Sequence, residues 1–517
     1  MQTVVEALGA RAASTPDGLA FADATDRLTF GRLLDDATRV ARVLTVRGVG
    51  PGDRCAIILP SGLDFVRIAF GAHIAGLCVA AFNPRLAPDT TVKRLALIRP
   101  ALAVVSGEAQ ESLAGTAARL GQTVRLLAAE DVLTEATTAR PLARPTPPPD
   151  SPALLLFTSG TTGEPKTAII HHRHLAAFFE LSRLRVPVGH GDVFVNWLPL
   201  YHNMGLIRAV CGTPVLGWAC HLVPPGLDTL RAWLDTVSRV GGTVTSSSDF
   251  GFRTAAQLVD PGGLDLASLR VAFSGGERVR ASTIDQFERR FNVPGVILPS
   301  YGLSEATLGV TCAAPGEPIR QDGVGRVSCG RPYDGLEIRI VGSQGSDAPT
   351  GEPGEIAVGG PTLFAGYFDD EPATRAVLRE GWLHTGDQGA VGADGHLYVH
   401  ARTRALIKHA GVTIVPNEVE EAAERIAGIG RSAAIGVAAG GDDDERLVVV
   451  AEMHREHPAP DDGRGKSAEI AREIRRAIGI APERVLVVPP GTIPLTDNGK
   501  IRYPELRRLV EAGRLDA

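Results

Sequence analysis

The feature that most constrains this chain is a short apolar strand that runs directly into nine small, polar and basic residues. Ala153 to Phe157 has the length and residue types of a buried strand. Thr158-Ser159-Gly160-Thr161-Thr162-Gly163-Glu164-Pro165-Lys166 follows at once. Small residues let backbone N–H groups turn toward an anion, hydroxyls add donors, and a lysine adds positive charge. We therefore predict a phosphate-binding loop at the end of a sheet strand, and we discount an ordinary polar loop.

Two other nucleotide-binding patterns are excluded by position. A P-loop needs G-x-x-x-x-G-K-[ST], but counting from Gly160 puts Pro165 where the second glycine belongs. A dinucleotide-binding turn needs G-x-G-x-x-G at the start of a helix. Gly48-Val49-Gly50 is only a fragment of that pattern, and it follows a predicted helix.

The order of predicted elements indicates an α/β protein with mixed α+β character. Apolar residues recur at helical spacing from Phe30 to Leu44, and Thr29 can cap the free N–H groups of that helix. Glycines and a proline end the helix, and Cys55 to Leu59 then has the pattern of a buried strand. This helix–turn–strand order continues along the chain and predicts alternating layers of helices and sheets.

A chain of 517 residues is too long for one ordinary core, so we predict two domains. The first, residues 1–402, is a large N-terminal domain of layered sheets and helices. The second, residues 403–517, is a small α+β domain. Its predicted elements are a helix from Pro416 to Ile426, a strand from Arg446 to Met453 and a helix from Ser467 to Ile478.

Composition excludes several classes of protein. The apolar fraction of 44% and charged fraction of 22% are normal for a soluble protein, and a net charge of -6 gives no electrostatic case for a nucleic-acid partner. The six cysteines contain no C-x-x-C pair, which argues against a disulfide framework and a cysteine zinc site. We see no signal peptide, and the longest apolar stretch, Ile68 to Phe82, is too short to span a membrane. We expect a cytoplasmic protein in which that stretch is a buried helix leading into a strand.

The run from Thr158 to Lys166 resembles, residue for residue, the phosphate loop of the acyl-adenylate-forming superfamily. This superfamily contains acyl-CoA synthetases, fatty acyl-AMP ligases, peptide-synthetase adenylation domains and luciferases, and the resemblance covers nearly the whole chain. It implies an ATP-dependent acid–thiol ligase that forms an acyl-AMP, with ATP and Mg²⁺ as cofactors. Thr167 departs from the glycine that is usual after the lysine, and we expect it to alter the backbone after the loop more than the chemistry.

Further motifs are similar to the nucleotide and magnesium segments of the family. Ser274 to Glu277 and Tyr301 to Thr307 match the adenine and magnesium segments, with Ser304 in place of the usual threonine. Glu305 matches the position that holds Mg²⁺, an ion that prefers hard oxygen ligands. In a segment that resembles the ribose site, Asp387 would accept hydrogen bonds from the ribose hydroxyls. The nucleotide-binding residues implied by the resemblance are Thr158, Ser159, Gly160, Thr161, Thr162, Gly163, Lys166, Gly275, Gly276, Glu277, Tyr301, Gly302, Ser304, Asp387 and Arg402.

The resemblance also assigns residues near and after the domain junction. Arg402 matches an arginine that contacts the nucleotide, Arg404 stands at the hinge position, and Gly411 matches part of the thiol channel. Lys500 matches the catalytic lysine, which neutralises charge that develops in the transition state. Three residues here depart from the family pattern: Ala401, Arg404 and Ala410. The implied catalytic residues are Lys500, Glu305 and His202.

The acyl substrate is indicated by two segments. Trp197 to Gly205 resembles the motif whose aromatic and histidine residues border the acyl pocket. Trp197 to Ile207, together with Tyr301 to Leu308 and Val327 to Pro332, looks closest to fatty acyl-AMP ligases. Asp249 stands where those relatives usually have a neutral asparagine. A buried acid is costly unless a cation pairs with it, and a substrate ammonium group would supply one. This pattern resembles the 3-amino acid (β-amino acid) adenylating enzymes of macrolactam polyketide pathways. The implied substrate-binding residues are Tyr201, Asp249, Phe250, Gly276 and Ser300.

Three alternatives stay open from the sequence. Asp249 can instead lie in the first turn of a helix, where the helix dipole favours an acid. The enzyme would then be an acyl-CoA synthetase or a fatty acyl-AMP ligase acting on a fatty or aryl acid. The expected thiol acceptor is the phosphopantetheine of an acyl carrier protein, with CoA as the alternative. A non-catalytic nucleotide-binding homologue is the third interpretation, and the presence of Lys500, Glu305 and the phosphate loop together opposes it.

Overall fold

The computed structural model describes residues 2–143, 146–158, 166–402, 406–409, 412–438, 445–454, 464–495 and 501–515. The strands are β1 Leu19–Ala22, β2 Arg27–Thr29, β3 Arg54–Ile58, β4 Cys78–Ala81, β5 Leu102–Val105, β6 Leu126–Ala128, β7 Pro152–Thr158, β8 Lys166–His171, β9 Val193–Asn196, β10 Ala219–Leu222, β11 Val244–Ser247, β12 Val271–Ser274, β13 Ile297–Tyr301, β14 Thr311–Cys312, β15 Arg331–Pro332, β16 Glu337–Val341, β17 Gly354–Gly359, β18 Leu378–Arg379, β19 Trp382–Val391, β20 Leu397–Arg402, β21 Ile407–His409, β22 Val412–Ile414, β23 Ile429–Ala438, β24 Glu445–Met453 and β25 Arg484–Val488.

The α-helices are α1 Val4–Ser14, α2 Phe30–Thr45, α3 Leu63–Ile74, α4 Pro88–Ile98, α5 Gly107–Arg119, α6 Ala129–Thr138, α7 His172–Arg185, α8 Gly212–Leu216, α9 Leu230–Val240, α10 Asp249–Leu258, α11 Ala281–Phe291, α12 Glu371–Val377, α13 Pro416–Glu424, α14 Arg464–Ile478 and α15 Tyr503–Glu511. A π-helix covers Met204–Cys211, and short 3₁₀ helices cover Leu227–Thr229 and Ser304–Ala306. The mixed α/β class predicted from the order of elements is confirmed.

The chain divides into two compact units. The first comprises Met1–Arg339, Ala357–Thr385 and Val391–Tyr398, and the second comprises Ile340–Ile356, Gly386–Ala390 and Val399–Ala517. The domain boundary at residues 402/403 stays a prediction. The longest segment of the second unit begins close to this boundary. Two earlier segments of the chain also belong to that unit, and the order of predicted elements does not show that the chain enters the second unit and then returns to the first.

Two large sheets make up much of the first unit. One has the strand order β15-β14-β13-β12-β11-β9-β10-β1-β2, and the other has the order β6-β5-β3-β4-β7-β8. In the larger sheet, β10, β9, β11, β12 and β13 pair in parallel. The carboxyl ends of β11, β12 and β13 therefore meet at one edge, the position at which open α/β sheets commonly bind ligands. The residues that follow these strands come from three of the motifs predicted above.

Local sequence signals account for several of these elements. Thr29 caps α2 as predicted, because its Oγ1 accepts a hydrogen bond from the Arg32 amide at 3.2 Å. The apolar stretch from Ile68 to Phe82 forms the end of α3 and then β4, as predicted, and its side chains are buried. Over the residues described, no helix is both long enough and apolar enough to cross a membrane.

A row of aromatic rings fixes α10 against its neighbours. The Trp197 and Trp233 rings stack with centroids 4.9 Å apart, and Trp233 is 5.7 Å from Phe252. Phe252 in turn meets Phe287 of α11 edge to face at 5.0 Å. Aromatic pairs at these separations add to the stabilisation from burial. Because α10 begins at Asp249, this packing sets the position of that residue.

The second unit contains a three-stranded sheet in the order β23-β24-β25. Apolar side chains of α13 and α14 pack on it around the buried residues Val419, Val449 and Ile470. The C-terminal elements predicted from the sequence are observed as α13, β24 and α14, with ends shifted by up to three residues.

Candidate functional site

The phosphate loop is predicted to lie between two paired strands. β7 and β8 are antiparallel, and Thr158 pairs with Lys166 across the hairpin. The Thr158 hydroxyl donates to the Lys166 carbonyl at 3.5 Å. Residues 159–165, which carry most of the predicted phosphate contacts, lie outside the described part of the chain. Thr167 is a regular strand residue, paired with Phe157 and buried, so its side chain faces the protein interior.

Lys166 lies close to the predicted magnesium residue through a tyrosine that the sequence analysis did not single out. The Lys166 Nζ lies 5.0 Å from the centroid of the Tyr367 ring, and the Tyr367 hydroxyl donates to Glu305 Oε1 at 2.7 Å. The Phe364 amide also donates to the Glu305 carbonyl at 2.8 Å. The segment with Tyr367 runs beside β8, since Ala168 and Tyr367 form an antiparallel bridge. The sequence feature that could have identified Tyr367 is the pair of aromatic residues directly after Gly366.

The loop that carries Glu305 is held by tight backbone contacts. A Cβ on Gly302 would lie 1.9 Å from the Leu308 carbonyl oxygen, so the close approach requires glycine. Thr307 has a positive φ of 68°, a strained conformation for a β-branched residue, and its hydroxyl donates to the Thr362 carbonyl at 2.7 Å. Asn203 Nδ2 donates to the Ser304 hydroxyl, which ties the acyl-pocket motif to this loop.

The carboxylate of Glu305 is suited to hold a magnesium ion that is also bound by nucleotide phosphates. Glu305 supplies a carboxylate, a hard oxygen ligand of the kind that Mg²⁺ prefers, and one of its oxygens accepts the bond from Tyr367. In the part of the chain that the structure describes, no cluster of three or more histidine, cysteine or acidic side chains could hold a metal alone. Mg²⁺ at nucleotide sites usually has one or two protein carboxylates together with phosphates and water.

The adenine segment is formed by strand ends that lie very close together. The Ser300 hydroxyl donates to the Ser274 carbonyl at 2.9 Å, and a Cβ on Gly275 would lie 2.6 Å from Ser300 Oγ. Gly276 has a φ of 82°, a conformation that favours glycine. Tyr301 ends β13, and its carbonyl accepts the Val310 amide at 2.8 Å. The structure thus brings Ser300, Gly275, Gly276 and Tyr301 to one edge of the sheet.

Asp249 has a cationic partner within the protein. It is the first residue of α10, is fully buried, and follows the capping residue Ser248. Its Oδ2 accepts Arg280 Nη1 at 2.8 Å, and its Oδ1 accepts the Arg280 amide at 2.9 Å. The Glu277 carboxylate accepts the Phe250 amide at 2.7 Å. Arg280 therefore supplies a cation for Asp249 from within the protein, and the substrate-binding role of Asp249 stays a prediction.

The acyl-pocket motif leads into the π-helix. The His202 amide donates to the Pro199 carbonyl at 3.1 Å, and the Leu206 amide donates to the His202 carbonyl at 2.6 Å. Gly205 is required here, since a Cβ would lie 2.1 Å from the Pro199 carbonyl oxygen. The Tyr201 and His202 side chains are partly buried beside this turn. Their catalytic and substrate-binding roles stay predictions.

The remaining predicted residues belong to the second unit or lie outside the described residues. Asp387 is buried on β19, and the amide of its neighbour Gly386 donates to Glu355 Oε1 at 3.0 Å. The Arg402 side chain, Arg404, Gly411 and Lys500 lie outside the description that the structure provides.

The chain on both sides of Lys500 is held in the second unit. Leu495 and Ile501 form an antiparallel bridge, and the Arg502 amide donates to the Pro494 carbonyl at 2.9 Å. The Tyr503 hydroxyl donates to the buried Glu420 at 2.7 Å. These bonds fix the two ends of the segment that carries the predicted catalytic lysine.

Comparison with known proteins finds similar proteins over most of the length of the chain. Residues 8–368 match a family model described as AMP-binding enzyme. The chain is 31% identical to a long-chain-fatty-acid–AMP ligase of Mycobacterium marinum, covering 94% of this chain and 91% of that protein. It is 33% identical to a sulfoacetate–CoA ligase of Cupriavidus necator, covering 84% and 85%. A solved structure of fatty acyl-adenylate ligases from E. coli and L. pneumophila superposes with a TM-score of 0.86 at 26% identity, covering 99% of this chain and 98% of that chain.

Proposed function

The chain belongs to the AMP-binding enzyme family, and we propose that it adenylates a carboxylic acid that carries no ammonium group beside the reacting carboxyl. As a member of this family it is an ATP-dependent ligase that uses Mg²⁺ and forms an acyl-AMP. The observation that carries the finer proposal is the Asp249–Arg280 ion pair. Its Nη1–Oδ2 distance is 2.8 Å, and Asp249 has an exposed fraction of 0%. A substrate ammonium would have to reach an acid that is already neutralised and enclosed.

The first step joins the acid to AMP. A carboxylate oxygen of the acid attacks the α-phosphorus of ATP. The bond between the α-phosphorus and the oxygen that bridges it to the β-phosphorus breaks, and pyrophosphate leaves with the electron pair. Lys166 is proposed to support this step as a cation for the phosphates, and Glu305 as a ligand of Mg²⁺; both side chains lie beside Tyr367. Lys500 is proposed to approach the α-phosphate and to stabilise the charge that develops there.

The second step is proposed to transfer the acyl group to the phosphopantetheine thiol of an acyl carrier protein. The thiolate sulfur attacks the acyl carbon, a thioester forms, and AMP leaves. The relatives named above include an AMP ligase and a CoA ligase, so CoA is the alternative acceptor. Intact-mass measurement of a holo-carrier protein, with a parallel assay for acyl-CoA, separates the two acceptors.

A 3-amino acid is the second candidate substrate. A carboxylate has about four acceptor positions, and the Asp249 oxygens use one each for Arg280. An amine could use the others if α10 or Arg280 moved to open a path. The names of the two curated relatives above refer to a fatty acid and to sulfoacetate, acids without an amino group, which supports the first candidate.

ATP–pyrophosphate exchange over a panel of acids tests the proposal. The panel contains decanoate, 3-phenylpropanoate, 3-aminobutanoate and a set of 2-amino acids. We expect exchange with at least one acid that lacks an amine and none above background with the amino acids. Exchange with 3-aminobutanoate alone would establish the second candidate and overturn the first.

The Asp249→Asn variant adds an independent readout. Breaking a buried ion pair costs about 3–5 kcal/mol, so we expect a lower unfolding midpoint and an equal loss of exchange for every accepted acid. The matched control is Asp285→Asn, which breaks an exposed Asp285–Arg289 pair with a 3.3 Å separation and should cost at most about 1 kcal/mol. Loss of activity confined to amino acids in Asp249→Asn would contradict the proposal.

A further inference from the structure

Arg208 is a buried cation for which the described part of the chain provides no anion. It lies on the π-helix Met204–Cys211, and only 5% of its surface is exposed. No described carboxylate is among the charge partners of its guanidinium, and its Nε is enclosed without a hydrogen-bond partner among the described residues. An unpaired buried charge is among the most costly features that a fold can keep, so it calls for a partner.

The groups around the Arg208 guanidinium are aromatic or neutral. Its Cζ lies 3.8 Å from the Phe273 ring centroid and 5.9 Å from that of Phe178. Its titratable neighbours are the Tyr333 hydroxyl, which also contributes a hydrogen-bond interaction, and the Cys312 thiol. Burial raises the pKa of Cys312 to about 12 and raises the pKa of Tyr333 above its ordinary range, so both are uncharged at neutral pH. Ring faces attract a cation but do not neutralise it.

The location of Arg208 connects it to the acyl side of the site. The π-helix starts directly after Asn203, whose amide nitrogen donates to the Ser304 hydroxyl beside Glu305. Arg208 follows Asn203 by five residues, the spacing of the hydrogen bonds in a π-helix. Phe273, on which the guanidinium stacks, immediately precedes the Ser274 strand end. Arg208 therefore lies on the helix that continues the acyl-pocket motif, against the strand that ends at Ser274.

We propose that Arg208 binds an anionic group at the far end of the substrate, so that the enzyme activates an acid with a second carboxylate or a sulfonate. The proposal rests on the function proposed above. The forked donors of a guanidinium suit such a group, and its charge would be neutralised only when this substrate is bound. A plain alkyl chain would leave the guanidinium unpaired, which makes the same residue a filter against long-chain fatty acids.

The test compares matched acids in ATP–pyrophosphate exchange. The pairs are butanoate with succinate, hexanoate with adipate, and octanoate with suberate, together with 3-sulfopropanoate. In the wild-type enzyme we expect a higher kcat/KM for the anionic member of at least one pair. In Arg208→Met that preference should fall by about 10- to 150-fold, the range for a hydrogen bond to a charged group. Preference for every monoacid in the wild-type enzyme, or an unchanged ratio in Arg208→Met, would overturn the proposal.

Two further variants keep the result interpretable. Arg208→Lys retains the charge without the forked donors, so it should keep part of the preference, and it replaces Arg208→Met if the latter does not fold. Arg270→Met is the matched control, because Arg270 pairs with Asp192 at 2.6 Å and precedes the opposite end of β12. It should leave the ratio unchanged. Exchange with monoacids but without any preference refutes this proposal alone, whereas no exchange with any acid refutes the proposed function.

Discussion

Acid should destabilise the first unit through histidines buried beside the hairpin of the phosphate loop. His172 begins α7 directly after β8, and its ring lies 5.7 Å from that of His73 on α3. Both are almost completely buried, and neither ring nitrogen of His73 has a hydrogen-bond partner among the described residues. Burial lowers the pKa of His73 to about 3 and that of His172 to about 4, with smaller contributions from His172 to the first and from His171 to the second.

The sign and size of the effect follow from proton linkage. An exposed histidine in the unfolded chain titrates near pH 6.5, so below that pH the unfolded state binds more protons than the folded state. Stability is therefore complete above about pH 6.5 and is lost progressively as the pH falls toward the folded-state pKa values. At about pH 5 each of the two histidines costs about 2 kcal/mol, or about 4 kcal/mol together. This is a large share of a typical unfolding free energy of about 5–15 kcal/mol.

Urea unfolding followed by circular dichroism at about pH 7.5 and pH 5 measures this loss. The informative variant is His73→Leu, which removes one titrating group from an apolar site of similar size. Each protein is compared with itself at the two pH values, so the packing change cancels. We expect His73→Leu to lose about 2 kcal/mol less than the wild-type protein. His190→Gln, at an exposed position, is the control and should behave like the wild type. An equal loss in His73→Leu and wild type would refute the argument.

Three further outcomes follow from the site. Tyr367→Phe removes the donor to Glu305 and should raise the Mg²⁺ concentration needed for half-maximal exchange, with kcat/KM lowered by about 10- to 150-fold, the range for a hydrogen bond to a charged group. Gly302→Ala should prevent soluble expression because of the 1.9 Å clash with a backbone carbonyl, whereas Gly115→Ala, with open space around it, should fold normally. Lys500→Ala should abolish exchange but keep ATP binding measured by calorimetry, and normal exchange would contradict the C-terminal assignment.

The sequence was sufficient where a short-range rule decides the structure. The cap at Thr29, the strand before the phosphate loop and the helix that leads into β4 depend on neighbouring residues and on apolar spacing. The contacts of Glu305 and Asp249 depend on distant segments. Tyr367 reaches Glu305 across 62 positions, and Arg280 reaches Asp249 across 31. No local pattern encodes such pairings, because strand order and loop paths set them.

Asp249 and Arg208 show why a charged residue near a pocket indicates specificity only after its partners are known. Both break the apolar pattern expected around an alkyl substrate, and the sequence favoured the acid because its position matched a family motif. In the structure the acid is paired with Arg280, whereas Arg208 faces aromatic and neutral groups. The cost of burial is already offset at Asp249, so a substrate gains little by binding there. At Arg208 the described residues offset the cost only through ring faces and neutral groups, so binding an anion there would stabilise both the protein and the complex. The specificity of the enzyme is therefore expected to change more when Arg208 is replaced than when Asp249 is replaced.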